Sequence, residues 1–107
     1  MPTPYAYFQG KIVPLSEAKI GVMTHAFNYG TAVFEGIRGN WNDDDQTTYL
    51  FRLREHFERL GQSSKILTLQ MHQAVDQLCE IAVELVERSG FTEDVYLRPM
   101  VYLSSEQ

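Results

Sequence analysis

The sequence predicts an α+β fold in which a mostly antiparallel sheet carries two helices packed on one face. Short runs near both ends of the chain alternate apolar and polar residues with the period of two that strands have. Two longer stretches place apolar residues at steps of three and four, as amphipathic helices do. With 107 residues, the chain has the length of one domain with a modest core.

The N-terminal part predicts a hairpin. Residues 5–8 and 11–13 are short apolar and aromatic runs, and Gln9-Gly10 separates them. Glycine supplies the left-handed residue that a tight hairpin turn needs. Residues 16–19 are then expected to form a single helical turn.

A longer strand is expected from residue 31 to about residue 39. Because strand side chains alternate, Phe34, Gly36 and Arg38 are expected to share one face. That face offers a ring, a space without a side chain and a guanidinium, which suits a small ligand that is apolar at one end and anionic at the other. A half-buried strand with a surface arginine has the same spacing, so the pattern alone leaves both interpretations open.

An acidic segment follows this strand. Residues 40–46 are polar and predict a loop, and residues 47–51 return as the second strand of an antiparallel hairpin. Asp43, Asp44 and Asp45 are expected to form a solvated loop tip. Three consecutive carboxylates point in different directions and lack the alternate spacing of a calcium loop, so no metal site is predicted.

Two helices are predicted in the second half of the chain. The first begins at about Leu53 and places Leu53, Phe57 and Leu60 on one face, and Gly61 is expected to interrupt or end it. The second runs from about residue 71 to residue 88, and a glycine beyond its end is expected as the C-cap. Its wide apolar stripe is typical of a packing helix without a chemical role.

A final strand is predicted over residues 95–103. Tyr96 and Arg98 are two residues apart, so their side chains are expected on the same face. Pro99 has no N–H for a ladder hydrogen bond and is expected at an edge or a bulge.

Composition excludes several function classes. Nine basic and fourteen acidic residues leave a formal charge of −5, so nucleic acids and anionic membranes are not expected as partners. The single cysteine, Cys79, is expected to be a small core residue in a reducing compartment. The sequence shows neither a signal-peptide pattern nor an apolar run of the roughly 20 residues that span a bilayer. We therefore expect a soluble, cytoplasmic protein.

Two adjacent motifs resemble a known family. Residues 25–31, His-Ala-Phe-Asn-Tyr-Gly-Thr, and residues 33–38, Val-Phe-Glu-Gly-Ile-Arg, resemble the signature of the branched-chain amino acid aminotransferases. These belong to the class IV, or fold type IV, pyridoxal-phosphate enzymes. The resemblance continues at residues 51–60 and 96–99, in the family's order and spacing. It implies that residues 1–107 form the N-terminal small domain of such an enzyme.

The resemblance also implies a reaction. The family moves the amino group between branched-chain L-amino acids (leucine, isoleucine and valine) and 2-oxoglutarate, with pyridoxal 5'-phosphate as cofactor. It implies a role in branched-chain amino acid biosynthesis and a homodimer or a multiple of dimers, with amino acids and 2-oxo acids as small-molecule partners. D-Amino acid aminotransferase and aminodeoxychorismate lyase share the fold but not the Phe-Glu-Gly-Ile-Arg run, and a relative of either is an alternative.

Arg59 is the candidate cofactor-binding residue. Its position on the first helix allows an exposed ion pair with Glu55, four residues earlier. A forked guanidinium can instead bind a phosphate. The resemblance implies the second role, because the family's arginine in a Glu-His-x-x-Arg-Leu context binds the cofactor phosphate. Arg52 and Arg54 do not match that position.

The resemblance assigns the substrate pocket to the face of the long strand. Phe34 would pack on the branched side chain, Gly36 would leave room near the cofactor, and Arg38 would help to hold the substrate carboxylate. We expect this face and Arg59 to converge on a common hollow.

Three more pocket residues follow from the resemblance. Tyr96 and Arg98 match the family's Tyr-x-Arg-Pro pattern, in which the tyrosine helps to recognise the carboxylate and the arginine is linked to accepting an acidic side chain. Tyr29 resembles a family aromatic that reaches the pocket across the dimer interface, and a core tyrosine is the alternative. His25 is expected to be a turn residue, because the family's proton shuttle is a lysine.

No residue of the chain matches the family's catalytic lysine. The lysines of this chain are Lys11, Lys19 and Lys65. In the family, the lysine that forms the Schiff base lies in a larger second domain, together with the glutamate that pairs with the pyridine nitrogen. We therefore expect the 107-residue chain alone to be inactive. A stand-alone, non-enzymatic binding or assembly domain is the alternative from a different class.

Overall fold

The computed structural model describes residues 2–24 and 30–103. Their elements confirm the predicted α+β fold, with two α-helices and three small antiparallel sheets. In chain order the elements are β1 (Tyr5–Phe8), β2 (Lys11–Pro14), a 3₁₀ turn (Leu15–Glu17), β3 (Ala32–Phe34), β4 (Ile37–Asn42), β5 (Thr47–Leu50), α1 (Leu53–Ile66), α2 (Val75–Ser89), β6 (Val95–Leu97) and β7 (Met100–Tyr102).

The N-terminal hairpin forms as predicted. Strands β1 and β2 pair antiparallel, with Tyr5 opposite Pro14 and Phe8 opposite Lys11. Gln9 and Gly10 connect them with φ angles of 52° and 84°, so both turn residues are left-handed, as a two-residue hairpin loop prefers.

The two long strands of the sequence prediction are each interrupted. The strand expected over residues 31–39 breaks after Phe34 and resumes at Ile37, and the strand expected over residues 95–103 breaks between β6 and β7. The breaks lie opposite each other, because Phe34 pairs with Met100 and Ile37 pairs with Leu97. Pro99 cannot donate to a ladder, and its carbonyl instead accepts the Glu35 N–H at 3.0 Å.

The breaks divide the strands between two sheets. Strand β3 pairs with β7, while β4 lies between β5 and β6 in a three-stranded sheet. We call the bent pair formed by β3 and β4 with β6 and β7 the ribbon. The loop predicted over residues 40–46 is correct only for its second half, because β4 continues to Asn42 and pairs with Thr47.

The hairpin tip between β4 and β5 uses its acidic side chains internally. The Trp41 indole N–H donates to Asp43 at 2.7 Å, and the Tyr49 hydroxyl donates to Asp45 at 2.6 Å. Within the described part of the chain, no group of three or more His, Cys, Asp or Glu side chains could hold a metal ion.

Helix α1 passes through Gly61, so the predicted interruption there is wrong. Glycine in a helix interior costs about 1 kcal/mol relative to alanine, which tertiary packing outweighs here. Leu60, just before Gly61, and Ser64, one turn after Leu60, are 2% and 1% exposed. A Cβ at Gly61 would lie only 3.2 Å from the Met71 Cε, so glycine allows this close approach.

Helix α2 begins four residues later than predicted and ends as predicted. The Ala74 N–H donates to the Gln77 side chain at its start. Gly90 adopts a left-handed φ of 71° at its end, and its N–H donates to the Val86 carbonyl. Cys79 is half-buried in α2, and this burial raises the pKa of its thiol.

The core lies between the helices and one face of the ribbon. Its buried centre is formed by Ile37 of β4, Phe57 and Leu60 of α1, and Ala82 of α2. Both helices therefore pack on the same side of the ribbon. Over residues 2–24 and 30–103, neither helix combines the length and apolar character needed to cross a membrane.

Candidate functional site

The side of the ribbon that faces away from the helices carries most of the predicted pocket residues. Arg38 of β4 lies directly opposite Tyr96 of β6, so their side chains share a face. Phe34 is 55% exposed and Tyr96 is 61% exposed, although both are large and aromatic. We call the surface formed by Phe34, Gly36, Arg38, Tyr96 and Arg98 the open face.

The phenol ring of Tyr96 lies over Gly36. A Cβ at Gly36 would lie 1.9 Å from the Tyr96 hydroxyl oxygen and 2.7 Å from its Cζ. Real Cβ contacts are not this short, so any side chain at position 36 would displace the ring. The space that the sequence predicts at Gly36 is therefore taken by Tyr96 in this structure.

Arg98 lies close to two rings of the open face. Its guanidinium carbon is 4.7 Å from the Phe34 ring centroid and 5.5 Å from the Tyr96 ring centroid. Its Nη2 also donates to the Tyr96 hydroxyl at 3.4 Å. Cation–π contacts of this kind orient the guanidinium plane while leaving most of its N–H donors available.

Two positive charges on the open face have no acidic partner within the described part of the chain. Arg38 and Arg98 are both exposed, and neither forms an ion pair with a described residue. Unpaired guanidinium groups beside aromatic rings can hold an anionic group next to an apolar one. The open face therefore has the chemistry of a site for a small amphiphilic anion.

A second cluster lies on the opposite, helix-facing side of the ribbon. Glu35 is 6% exposed at the break between β3 and β4. Its Oε2 accepts the Arg59 Nε–H at 2.9 Å, and its Oε1 accepts the Arg59 Nη2–H at 2.7 Å. The Nδ1 of His56 is 2.8 Å from the same Oε1. We call Glu35, His56 and Arg59 the Glu35 cluster.

Charge keeps the buried carboxylate ionised. The Arg59 guanidinium lowers the pKa of Glu35, burial raises it in opposition, and His56 lowers it further. The net direction is downward, so Glu35 is a carboxylate at neutral pH. Because an ionised carboxylate only accepts hydrogen bonds, the Nδ1 of His56 must carry the hydrogen. Glu35 in turn raises the pKa of Arg59.

Among the described residues, no hydrogen bond, ion pair or ring contact joins Arg59 to the open face. Its ion pair is with Glu35 and not with Glu55, which lies 3.9 Å from Arg52 instead. The exposed pair between Glu55 and Arg59 that the helix spacing allowed is therefore not formed. The side chain of Arg59 is nevertheless 66% exposed, and its convergence with the open face remains a prediction.

The other predicted residues divide into two groups. Arg52 and Arg54, which were assigned no phosphate role, form ion pairs with Glu55 and Asp76. Tyr29 and His25 lie outside the described residues, so their predicted roles remain predictions.

Sequence reasoning missed Glu35 and His56. The sequence contains evidence for both. Glu35 is two residues before Ile37 in a predicted strand, so the two side chains are expected on the same, buried face. His56 precedes Arg59 by three residues, which places the two side chains on the same side of α1. A carboxylate on the core face predicts a cationic partner on the element packed against it.

Comparison with known proteins identifies relatives over nearly the whole chain. The chain is 45% identical over 98 residues to a probable branched-chain-amino-acid aminotransferase of Aquifex aeolicus, covering 92% of this chain and 32% of that protein. No protein-family model matches the chain.

Solved structures agree with the sequence relatives. A branched-chain aminotransferase of Thermoproteus uzoniensis, solved with norvaline, superposes with a TM-score of 0.90 at 42% identity, covering 98% of this chain and 35% of that chain. The PLP form of the branched-chain amino acid aminotransferase of Thermobaculum terrenum gives a TM-score of 0.85 at 35% identity, covering 94% of this chain and 33% of that chain. The chain spans about a third of the length of the curated relatives it matches.

Proposed function

We propose, from the homology of this chain to branched-chain aminotransferases over nearly all of its residues, that the whole protein is a pyridoxal-phosphate-dependent transaminase. It would exchange the amino group between leucine, isoleucine or valine and 2-oxoglutarate. Residues 1–107 would be its N-terminal small domain, supplying one wall of the substrate pocket and the arginine for the cofactor phosphate.

The observation that carries the proposal is the pairing of charge and rings on the open face. A branched-chain amino acid has a carboxylate at one end and an apolar side chain at the other. Arg38 and the hydroxyl of Tyr96 would hold the carboxylate, and the exposed ring of Phe34 would contact the aliphatic part. Arg98 would accept the second carboxylate when the substrate is glutamate, since its guanidinium lies close to the rings of Phe34 and Tyr96.

Arg59 fits a phosphate group. Its two bonds to Glu35 use two of the five N–H donors of a guanidinium, and its side chain is 66% exposed. The remaining donors can bind phosphate oxygens, for which guanidinium geometry is well matched. When bound, pyridoxal phosphate supplies an electron-withdrawing ring that stabilises negative charge at the substrate α-carbon.

The catalytic lysine would come from elsewhere in the protein. Lys11, Lys19 and Lys65 are all exposed and lie on β2, after the 3₁₀ turn and near the end of α1. None belongs to the open face or the Glu35 cluster. We therefore expect the 107-residue chain alone to show neither turnover nor Schiff-base absorbance with pyridoxal phosphate. The whole protein would be a cytoplasmic homodimer or a multiple of dimers.

The test is a transamination assay of the protein at its natural length. We expect turnover of L-leucine, L-isoleucine and L-valine with 2-oxoglutarate. Arg38→Gln should raise the KM for the amino acid, because it removes a positive charge that binds the carboxylate. Lys11→Gln, an exposed charge change in the N-terminal hairpin, is the matched control and should leave the KM unchanged.

Two results would contradict the proposal. Preference for D-alanine over L-leucine would favour a relative of D-amino acid aminotransferase. Absence of turnover with any amino acid, in a protein that binds no pyridoxal phosphate, would favour a non-enzymatic domain.

A further inference from the structure

Glu35 is an acidic side chain buried where the ribbon breaks. Its backbone N–H donates to the Pro99 carbonyl at 3.0 Å, which fixes the residue between the two sheets. Its side chain faces α1 and is 6% exposed. A carboxylate in such a position is unfavourable unless charge and hydrogen bonds compensate its lost hydration.

Two residues on the same side of helix α1, His56 and Arg59, provide that compensation. The carboxylate receives two hydrogen bonds from Arg59 and lies 2.8 Å from the His56 Nδ1. The side chain of His56 is 18% exposed, whereas that of Arg59 is 66% exposed. The cluster therefore anchors a buried anion at one end and presents a cation to the surface at the other.

The contact also fixes the direction of the guanidinium. Two parallel N–H···O bonds define both the plane of the group and its rotation, which a single contact does not. An unpaired arginine would sample several rotamers and would lose that freedom on binding a ligand. The Nε–H and one of the two Nη2–H groups donate to Glu35. The two Nη1–H groups and the other Nη2–H group are left for an anion.

We propose that Glu35 is a positioning residue for Arg59, and that His56 holds the Glu35 carboxylate from its other side. The pair orients the guanidinium for a phosphate monoester before the ligand arrives. This inference rests on the proposed role of Arg59 in binding the cofactor phosphate. Glu35 acts through Arg59 and does not itself contact the phosphate.

A competing role for Glu35 predicts the opposite change in phosphate affinity when its charge is removed. If Glu35 occupied Arg59 in place of the phosphate, removing its charge would tighten phosphate binding. If Glu35 positions Arg59, removing its charge weakens phosphate binding. The side-on contact favours positioning, because it leaves three guanidinium donors for the anion.

The experiment measures binding of pyridoxine 5'-phosphate to the cofactor-free protein at its natural length by titration calorimetry. This probe lacks the aldehyde, so it cannot form a Schiff base with a lysine. Glu35→Gln should weaken binding about 10-fold, the lower end of what loss of an outer-shell partner costs a bound metal. Binding of pyridoxine, which lacks the phosphate, should not change. Unchanged or tighter binding of the phosphate ester would overturn the proposal.

Two further variants separate this inference from the proposed function. Arg59→Gln should also weaken binding of the phosphate ester, and if it does not, the proposed role of Arg59 in binding the cofactor phosphate fails. If Arg59→Gln weakens binding but Glu35→Gln does not, only the positioning role fails. Asp76→Asn is the matched control. It removes the carboxylate partner of Arg54, which lies on α1 as Arg59 does, and it should change neither affinity.

A measurement on the unsubstituted protein covers the case in which Glu35→Gln does not fold. In proton–nitrogen NMR spectra, the Nε–H of Arg59 should exchange with solvent more slowly than that of Arg52, whose ion pair is long and exposed. The Arg59 signal should shift when pyridoxine 5'-phosphate binds. Equal exchange rates for the two arginines would overturn the proposal.

Discussion

The two faces of the ribbon differ in how far their apolar side chains are buried, and their charged groups paired, by other described residues. On the helix-facing side, Ile37 is 0% exposed and the Glu35 carboxylate has hydrogen-bond partners for both of its oxygens. On the open face, Phe34 and Tyr96 are more than half exposed, and the neighbouring Arg38 and Arg98 form no ion pair with a described residue. The first face has the character of a core, and the second has the character of a binding surface.

The difference shows how one strand can serve both stability and function. Successive residues of a strand point to opposite faces, so Phe34, Glu35 and Gly36 contribute in turn to the open face, the Glu35 cluster and the open face again. The break after Phe34 does not disturb this order. Substitutions at neighbouring positions should therefore have very different consequences.

The largest expected effect comes from comparing Ile37→Ala with Phe34→Ala. Ile37→Ala should lower the free energy of unfolding by about 2–5 kcal/mol, because it leaves a cavity among fully buried side chains. Phe34→Ala should cost less than about 1 kcal/mol, since its ring is 55% exposed. Urea unfolding of both variants checks the difference, and similar losses would show that the open face is also part of the core.

The next effect comes from adding a side chain on the open face. Gly36→Ala should displace the Tyr96 ring and cost up to about 1 kcal/mol, because the atoms it meets are the far end of a side chain that is 61% exposed and can move aside. The Tyr96 ring signals in an NMR spectrum should shift. Combining Gly36→Ala with Tyr96→Ala should remove most of the additional cost, because the clash has then gone. A cost that persists in the double variant would place its cause in the backbone.

The smallest effect is a dependence of stability on pH. Because the folded-state pKa of Glu35 lies below its ordinary value of 4.5, its ionised contacts stabilise the fold fully above that value. As the pH falls through the folded-state pKa, this contribution is lost. When the pH is lowered from 7 to about 3, the free energy of unfolding should therefore fall less in Glu35→Gln than in the unsubstituted protein.

The control for the pH dependence is the exposed pair of Arg54 and Asp76. Its side chains are 56% and 75% exposed, and exposed pairs contribute about 0–1 kcal/mol. Asp76→Asn should therefore leave the acid-induced loss of stability almost as large as in the unsubstituted protein. An equal reduction by both substitutions would mean that burial gives Glu35 no special role.

Most of the fold could be predicted from local patterns in the sequence. The left-handed turn residue Gly10 and the C-cap Gly90 follow from glycine chemistry, and both have positive φ angles in the structure. The strand breaks could not be predicted from alternation, because the side chains keep their period of two through them. The persistence of α1 beyond Gly61 depends on tertiary packing, which a propensity scale does not contain.

Of the candidate site, the open face could be predicted from the sequence, and the pairing within the Glu35 cluster could not. Alternation correctly places Phe34 with Arg38 and Tyr96 with Arg98, and the strand pairing that sets Arg38 opposite Tyr96 joins the two pairs on one face. The ion pair of Arg59 with Glu35 joins residues 24 positions apart on a strand and a helix. Helix spacing could suggest only the local partner Glu55, since a pairing between distant elements depends on how they pack.

The most direct test of the central claim is a crystal structure of the protein at its natural length with N-(5'-phosphopyridoxyl)-L-leucine bound. We expect the phosphate oxygens within about 3.2 Å of Arg59, with Glu35 still bonded to that arginine. We also expect the leucine part to lie against Phe34 and Arg38. A phosphate held by other residues, with the open face covered by protein or left exposed to solvent, would contradict the assignment of both surfaces.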